Sequence, residues 1–265
     1  MKSKSGATSE KLGAPKHRAH AHVPATMQEL QAYARWILPV VAALFVVLAV
    51  LAKLDALVWD RPITEWIDDH RTSGLNDFWR HVTELGGERV VYVVAAACVV
   101  LAWPRCRPLA IAIVALVIAR PLIVLALKEI IARDRPPASL AISHPGGYSF
   151  PSGHPFAVAA SWGFIPLVVA LYTQRRWVWW VTVTVVWSMV VVIAASRVYL
   201  GAHWASDVIA TLLLAVVFVA GSEIFIGWLH RHHAPPLLTC GAPLHSNGDG
   251  TASPESSSQD QRGMR

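Results

Sequence analysis

Long apolar runs separated by short polar links set the pattern of this chain. Crossing a bilayer as a helix takes roughly 20 mostly apolar residues. Six runs approach or reach that length, over residues 36–54, 89–103, 108–127, 155–172, 177–195 and 208–229. The second is short, and the fourth contains Pro166. The pattern predicts an all-α integral membrane protein, a bundle of six transmembrane helices. The third run holds Arg120 beside Pro121, a charge at membrane depth next to a residue that favours a kink. Such a charge either faces the bundle interior or snorkels to the interface, and the sequence leaves both open.

The longest link, 55–88, interleaves Trp59, Trp66, Phe78 and Trp79 with charged residues. Two readings fit it: one or two short helices lying on the outer leaflet, or a solvated connector. The tail from residue 230 is rich in Ser, Gly, Pro and Gln, a composition that cannot bury a core. Its His230-Arg-His-His233 run reads as a juxtamembrane basic patch before it reads as a metal site.

Composition agrees with the periodicity. The chain is 54% hydrophobic and only 15% charged, well below the soluble average of about 25%. Its 12 tryptophans cluster near the ends of apolar runs, where an amphipathic ring suits the membrane interface. The formal charge of +6 raises nucleic acid as a partner. The basic residues, however, sit in short segments flanking the spans, so topology explains them and no nucleic acid is expected. Cys98, Cys106 and Cys240 have no metal-like spacing and read as structural bystanders. The first apolar run follows a long polar lead and is long enough to stay in the bilayer, so no cleavable signal is expected.

Orientation follows from the basic links. The lead carries Lys2, Lys4, Lys11, Lys16, Arg18 and Arg35 against two acids, whereas 55–88 carries eight acids and three arginines. The links after the second and fourth spans are Pro-Arg-Cys-Arg-Pro and Thr-Gln-Arg-Arg. Alternation then puts the lead (1–35), these two links and the tail (230–265) in the cytoplasm. It leaves 55–88, 128–154 and 196–207 outside.

Three polar groups fall in those outer segments. Lys128 and Arg135-Pro136 stand at the exit of the third span, seven residues apart, two turns along one face if helical. Pro151-Ser152-Gly153-His154 opens the fourth span. Ser196-Arg197 and His203 with Asp207 join the fifth to the sixth. Each has a bland reading: snorkelling flank residues, a turn with a helix cap at Ser152, and a structural His–Asp pair. Their shared placement favours a site. His203 and Asp207 have a spacing that can bind zinc, yet Lys128, Arg135 and Arg197 would repel a metal, and no cofactor is expected. Surplus positive charge suits phosphate instead, gripped by guanidinium forks and an ammonium. The start of the fourth span adds backbone N–H groups and a helix dipole, and Gly153 permits close approach. Asp207 can fix the His203 tautomer so that the other ring nitrogen attacks phosphorus. His154 can protonate the leaving oxygen and later activate water on a phosphohistidine.

These groups resemble the signature of the type 2 phosphatidic acid phosphatase family of membrane enzymes, relatives of the vanadium haloperoxidases. The family pattern is Lys-x6-Arg-Pro, then Pro-Ser-Gly-His, then Ser-Arg-x5-His-x3-Asp. Lys128 to Arg135-Pro136, Pro151 to His154, and Ser196-Arg197 to His203 and Asp207 match it in order and spacing. The resemblance covers residues 36–229. It implies His203 as nucleophile, Asp207 as its partner and His154 as acid and base. It also implies Lys128, Arg135, Ser152, Gly153 and Arg197, with His154, as the phosphate cradle, without a metal. Bacterial relatives of this type act on undecaprenyl pyrophosphate, phosphatidylglycerol phosphate or phosphatidic acid at the outer leaflet. A lipid phosphate or pyrophosphate is therefore the expected substrate, with membrane lipids around it. Pro155 departs from the small residue that commonly follows the motif His, and it removes one N–H from the helix start. Three rivals remain: a transporter or flippase that binds phosphate without cleaving it, an inactive scaffold, and a haloperoxidase.

Overall fold

The computed structural model describes residues 25–173 and 175–232, with side chains in the terminal helices described from Trp36 and up to Phe225, Glu223 excepted. Within them the chain is all-helical. Helices α1 (Ala25–Lys53), α2 (Asp60–Asp69), α3 (Ser73–Glu84) and α4 (Glu88–Ala102) come first. Next are α5 (Arg107–Ile131), α6 (Gly153–Trp162), α7 (Ile165–Ala170), α8 (Arg176–Tyr199) and α9 (Ala205–His232). Six stretches are long and apolar enough to cross a membrane, as the hydrophobic pattern predicts. The protein is a multi-pass membrane protein.

Two spans differ in detail from the reading. The second run is short because α4 has only 15 residues, about 22 Å of helix against roughly 30 Å of hydrocarbon. Helix α3 precedes it after a three-residue turn, and together they make a 30-residue apolar stretch. The fourth span is broken between α6 and α7 beside Pro166, which cannot donate to the preceding turn. Pro121, by contrast, sits inside an unbroken α5. Helix α1 begins at Ala25, inside the segment expected as lead. Residues 1–24, the tail 233–265 with Cys240, and the side chains of the His230–His233 run lie outside the described residues. Cys98 is free and buried, while Cys106 is disulfide-bonded, so it is no bystander.

The core is apolar, but large apolar side chains also face outward, as lipid solvation allows, and several charged groups are turned inward. Trp36, Leu122, Leu125, Trp177 and Val181 face outward, whereas Arg120, Arg133, Arg197, Asp207 and Thr211 are buried. Helix α6 is the axis: Pro155 to Ser161 are all buried, and α6 packs against α4, α5, α8 and α9. Its small residues Ala157, Ala159 and Ala160 let those neighbours approach closely. Phe156 closes the layer edge-on against Phe218 of α9, with ring centroids 5.1 Å apart. Helix α1 packs on the opposite flank of α9.

The 55–88 link forms two helices, α2 and α3, so the solvated-connector reading does not hold. Both helices are tied to the bundle. Arg71 donates to the carbonyls of Tyr199 (2.7 Å) and Leu140 (3.0 Å), and Trp79 packs on Tyr199 with centroids 5.7 Å apart.

Candidate active site

The three polar groups converge at one end of the bundle, and backbone chemistry explains how. Helix α5 ends on Ala132, whose φ of 53° is left-handed. That residue turns the chain so that Arg133 enters the interior while Arg135 stays half-buried at the rim. The irregular segment that follows, with a 3-10 turn at Ala138–Leu140, docks on the end of α8, where Ile142 N–H and Ser143 N–H both donate to Leu200 O. At Gly201, φ is +66° and a Cβ would lie 2.5 Å from Leu140 O, so only glycine fits this approach. The turn it permits delivers His203 to the N-terminal edge of α9.

His203 is buried, with 3% exposure. Its Nε2 lies 3.3 Å from Arg135 Nη1. A guanidinium only donates, so Nε2 presents its lone pair and Nδ1 carries the ring proton. Nδ1 faces Asp207 Oδ2 at 3.8 Å, beyond hydrogen-bond length, and has no other partner. Burial pushes the His203 pKa down to about 4; Asp207 opposes the shift, and Arg135 and Arg197 add to it. The imidazole is therefore neutral at ordinary pH, the form in which a ring nitrogen is a nucleophile.

Asp207 is fully buried and crowded. Oδ1 accepts from Arg133 Nη1 at 2.6 Å. Oδ2 accepts from the Ser149 hydroxyl and from Trp204 N–H at 3.0 Å. These donors explain why His203 stands off: the carboxylate is nearly saturated before the imidazole reaches it. Arg133 is held in turn by Asp60 of α2, Nη2 to Oδ2 at 2.7 Å. Asp60 also accepts from Ser206 N–H at 2.9 Å and from the Ser206 hydroxyl. Burial disfavours the Arg133 charge, but Asp207 and Asp60 outweigh it and hold its pKa above the ordinary value. Sequence reading passed over Arg133, although it lies between Lys128 and Arg135, and gave no role to Asp60, one of eight acids in its link.

The cations meet on one turn. Lys128 Nζ donates to Tyr148 O, and Arg135 Nη2 donates to the same carbonyl at 3.0 Å. Arg135 also reaches Gly147 O (2.8 Å), Gly146 O (3.1 Å) and Ala202 O (2.5 Å). Burial lowers the Arg135 pKa, with Asp207 pulling the other way. Arg197, buried in the last turn of α8, donates to Thr83 Oγ1 at 3.0 Å and leaves Nε without a partner. Ser152 precedes α6 as its N-cap, yet its buried hydroxyl caps nothing and has no partner. Its N–H donates to Thr211 Oγ1 at 2.8 Å, and Thr211 in turn donates to Asp207 O at 2.6 Å. Pro155 is third in α6, where an N–H has no intrahelical acceptor, so its missing donor breaks no helix bond.

A cavity of about 290 Å³ opens between α4, α5 and α6. Lys128, Gly153 and His154 line it, with Gly86, Val124 and Arg120. Arg135, Arg197, His203 and Asp207 are not among its lining residues. The eight predicted site residues thus gather at one end of the bundle, three of them on the cavity wall. The arrangement supplies a neutral imidazole, a fixed carboxylate behind it, four cations counting Arg120, and unpartnered donors around a space for an anion.

Six apolar helices thus carry a cluster of cations, an imidazole and a carboxylate suited to phosphate chemistry. Residues 108–231, which contain all three groups, match the sequence model of the PAP2 superfamily. The undecaprenyl-diphosphatase of Sulfolobus acidocaldarius is 29% identical over 194 residues, covering 70% of this chain and 87% of the relative. Phosphatidylglycerophosphatase B of Escherichia coli K12 is 35% identical over 91 residues, 34% of this chain and 32% of that protein. That second match spans only about a third of either chain. The fold is also that of a transmembrane PAP2-type phosphatidylglycerolphosphate phosphatase from Bacillus subtilis. That crystal structure matches at a TM-score of 0.62 and 20% identity, over 74% of this chain and 98% of its own.

Proposed function

We propose that the protein hydrolyses the terminal phosphate of a lipid phosphate or diphosphate through a phosphohistidine intermediate, at the extracytoplasmic face of the membrane. The observation that carries this reading is the neutral, buried His203 with its Nε2 lone pair turned to Arg135 and its Nδ1 turned to Asp207. Residues 36–229 form the catalytic unit, and the similarity to an undecaprenyl-diphosphatase and a phosphatidylglycerophosphatase supports a polyprenyl diphosphate or a phospholipid phosphate as substrate.

In this mechanism the terminal phosphate displaces the carbonyls of residues 146–148 from Lys128 and Arg135. Arg197, through its unpartnered Nε, and the unpartnered Ser152 hydroxyl complete the cradle with the N-terminal N–H groups of α6. His203 Nε2 attacks phosphorus, and the bond from phosphorus to the lipid-side oxygen breaks. His154, protonated once the anionic phosphate lies beside it, gives its proton to that oxygen, which leaves as a lipid alcohol or a lipid monophosphate. The Nδ1 proton of His203 stays directed at Asp207, which stabilises the charge left on the ring. Water then attacks the phosphohistidine while neutral His154 takes its proton, and free phosphate leaves with His203 restored. The steps require no metal, since the cations supply the charge stabilisation.

The lipid tail reaches the site sideways. Leu125 and Pro121 line the cavity and are exposed on the outer surface of α5, so a chain can leave there into lipid. The test is phosphate release by purified protein in detergent from prenyl diphosphates and phospholipid phosphates, with and without EDTA. Full activity in EDTA, and an acid-labile phosphoenzyme that disappears in His203→Ala, are expected. A phosphoenzyme that persists in His203→Ala overturns the assignment, and loss in EDTA restored by zinc overturns the metal-free mechanism.

A further inference from the structure

One charged group in the cavity has no part in the reaction above. Arg120 lies inside the third span, eight residues before Lys128 on α5, about 12 Å deeper along the helix axis. It is 5% exposed. Its Nε has no hydrogen-bond partner, and its Nη2 makes one long bond, 3.4 Å, to Tyr92 Oη. The guanidinium carbon stands 5.9 Å from the Tyr92 ring centroid. Among the described residues no carboxylate comes within ion-pair distance of it. Glu88, which also lines the cavity, is exposed and unpaired with it. A cation at this depth without a counter-charge is costly unless something anionic visits it.

The cavity tells what that visitor is. Lys128, Gly153 and His154 line the same space, with Val124 between the two cations along α5. A phosphate held at the Lys128 end leaves the rest of a lipid headgroup to run towards Arg120 before the tail leaves past Leu125. The geometry points to Arg120 as the subsite for a second phosphate, on the lipid side of the one that is cleaved. This inference rests on the lipid phosphatase reading and sharpens it. Substrates with two phosphates, whether a lipid diphosphate or a phospholipid whose diester precedes its terminal phosphate, are favoured over those with one.

Two substrate pairs test it with the full chain in detergent. One compares farnesyl diphosphate with farnesyl monophosphate, the other phosphatidylglycerol phosphate with phosphatidic acid. For each pair the readout is the ratio of kcat/KM, two phosphates over one. Arg120→Gln should lower that ratio about tenfold or more in at least one pair, the loss expected for a charge-assisted hydrogen bond to phosphate. Arg120→Lys should restore most of it. The pair that responds identifies which spacing of phosphates the subsite takes. Equal loss on both members of each pair, or an unchanged ratio in both pairs, overturns the inference, because a structural Arg120 would behave that way. Binding of methylenebisphosphonate against methylphosphonate reads the same subsite without turnover. Wild type should prefer this bisphosphonate or the wider pentane-1,5-bisphosphonate over the monophosphonate, and preference for neither overturns the inference even where Arg120→Gln fails to fold. Should wild type release phosphate from none of the four lipids, the phosphatase reading falls, and bisphosphonate preference still decides the subsite.

Discussion

Arg133 and Asp60 are 73 positions apart in the sequence, yet Arg133 Nη2 donates to Asp60 Oδ2 at 2.7 Å with both side chains almost wholly buried. Through the other arm of the same guanidinium, Asp60 is coupled to Asp207 and so to the ring of His203. Removing one member of a buried pair strands the other, at about 3 kcal/mol or more. Asp60→Ala should therefore lower the thermal unfolding midpoint in detergent and abolish phosphate release. Wild-type turnover in this variant would remove Asp60 from the support of the site.

Arg133→Lys tests geometry in place of charge. Lysine keeps the cation but cannot bridge Asp60 and Asp207 with a planar fork. Asp207 then loses its fixed position and the His203 ring follows. A fall in kcat of about 100-fold is expected for such a displacement. KM should change much less, because Arg133 does not line the cavity. A matched rise in KM would point to a direct contact with substrate.

The pH profile follows from His203. The folded group ionises near pH 4, below the ordinary 6.5, so the neutral nucleophile survives down to about pH 4. The acid limb of kcat/KM should fall as pH drops through that value. The unfolded chain takes up this proton near 6.5, so the group's share of stability is present above 6.5 and is lost as pH falls through 4. Arg135 contributes to the depression, so Arg135→Gln should move the acid limb upward. Comparing the two profiles cancels ionisation of the substrate itself. A limb that stays in place excludes His203 as the group that sets it.

At the junction of α3 and α4, Gly86 presses on the other histidine. A Cβ there would lie 2.7 Å from Ile193 Cγ2 and 3.3 Å from His154 Cβ. Gly86→Ala should displace His154 and lower kcat by about tenfold to 100-fold. The size-exclusion profile should stay near wild type, since the clash is with side chains and not with backbone. An unaffected kcat would show that Ile193 alone absorbs the added methyl.

Gly201→Ala carries a stronger expectation, because its clash is with backbone. The added Cβ meets Leu140 O at 2.5 Å and Ala141 Cα at 2.7 Å, at a φ of +66° that costs about 1–2 kcal/mol for an L side chain. Loss of folded protein, seen as aggregation on extraction, is expected. A soluble, active variant would mean that the turn before His203 has another conformation.

The spans were legible because lipid demands long apolar runs, and that demand is local in sequence. The three polar groups were legible as well, since their spacings fall within single segments. Arg133 and Asp60 were not. Their partnership exists only once α2 folds back onto the start of α9, and no periodicity in 55–88 marks one acid among eight. Ser149 and Thr211 escaped for the same reason: each is an ordinary hydroxyl until the fold brings Asp207 to the one and Ser152 N–H to the other. The short second run was the converse case, where hydropathy alone missed that α3 extends α4.

The turn at 146–148 already occupies the hands that would hold a ligand. Lys128 and Arg135 grip its carbonyls, and Tyr148 O is held by both. These cations are thus already held by neutral carbonyl acceptors where the proposed mechanism places a phosphate. Any incoming anion must win an exchange against these dipoles, and the Coulomb gain of that exchange scales with the anion's charge. A carboxylate or a diester gains little from it, while a doubly charged terminal phosphate gains about twice as much. In the proposed mechanism the turn would act as a threshold on ligand charge, favouring a dianion over the monoanionic headgroups around it.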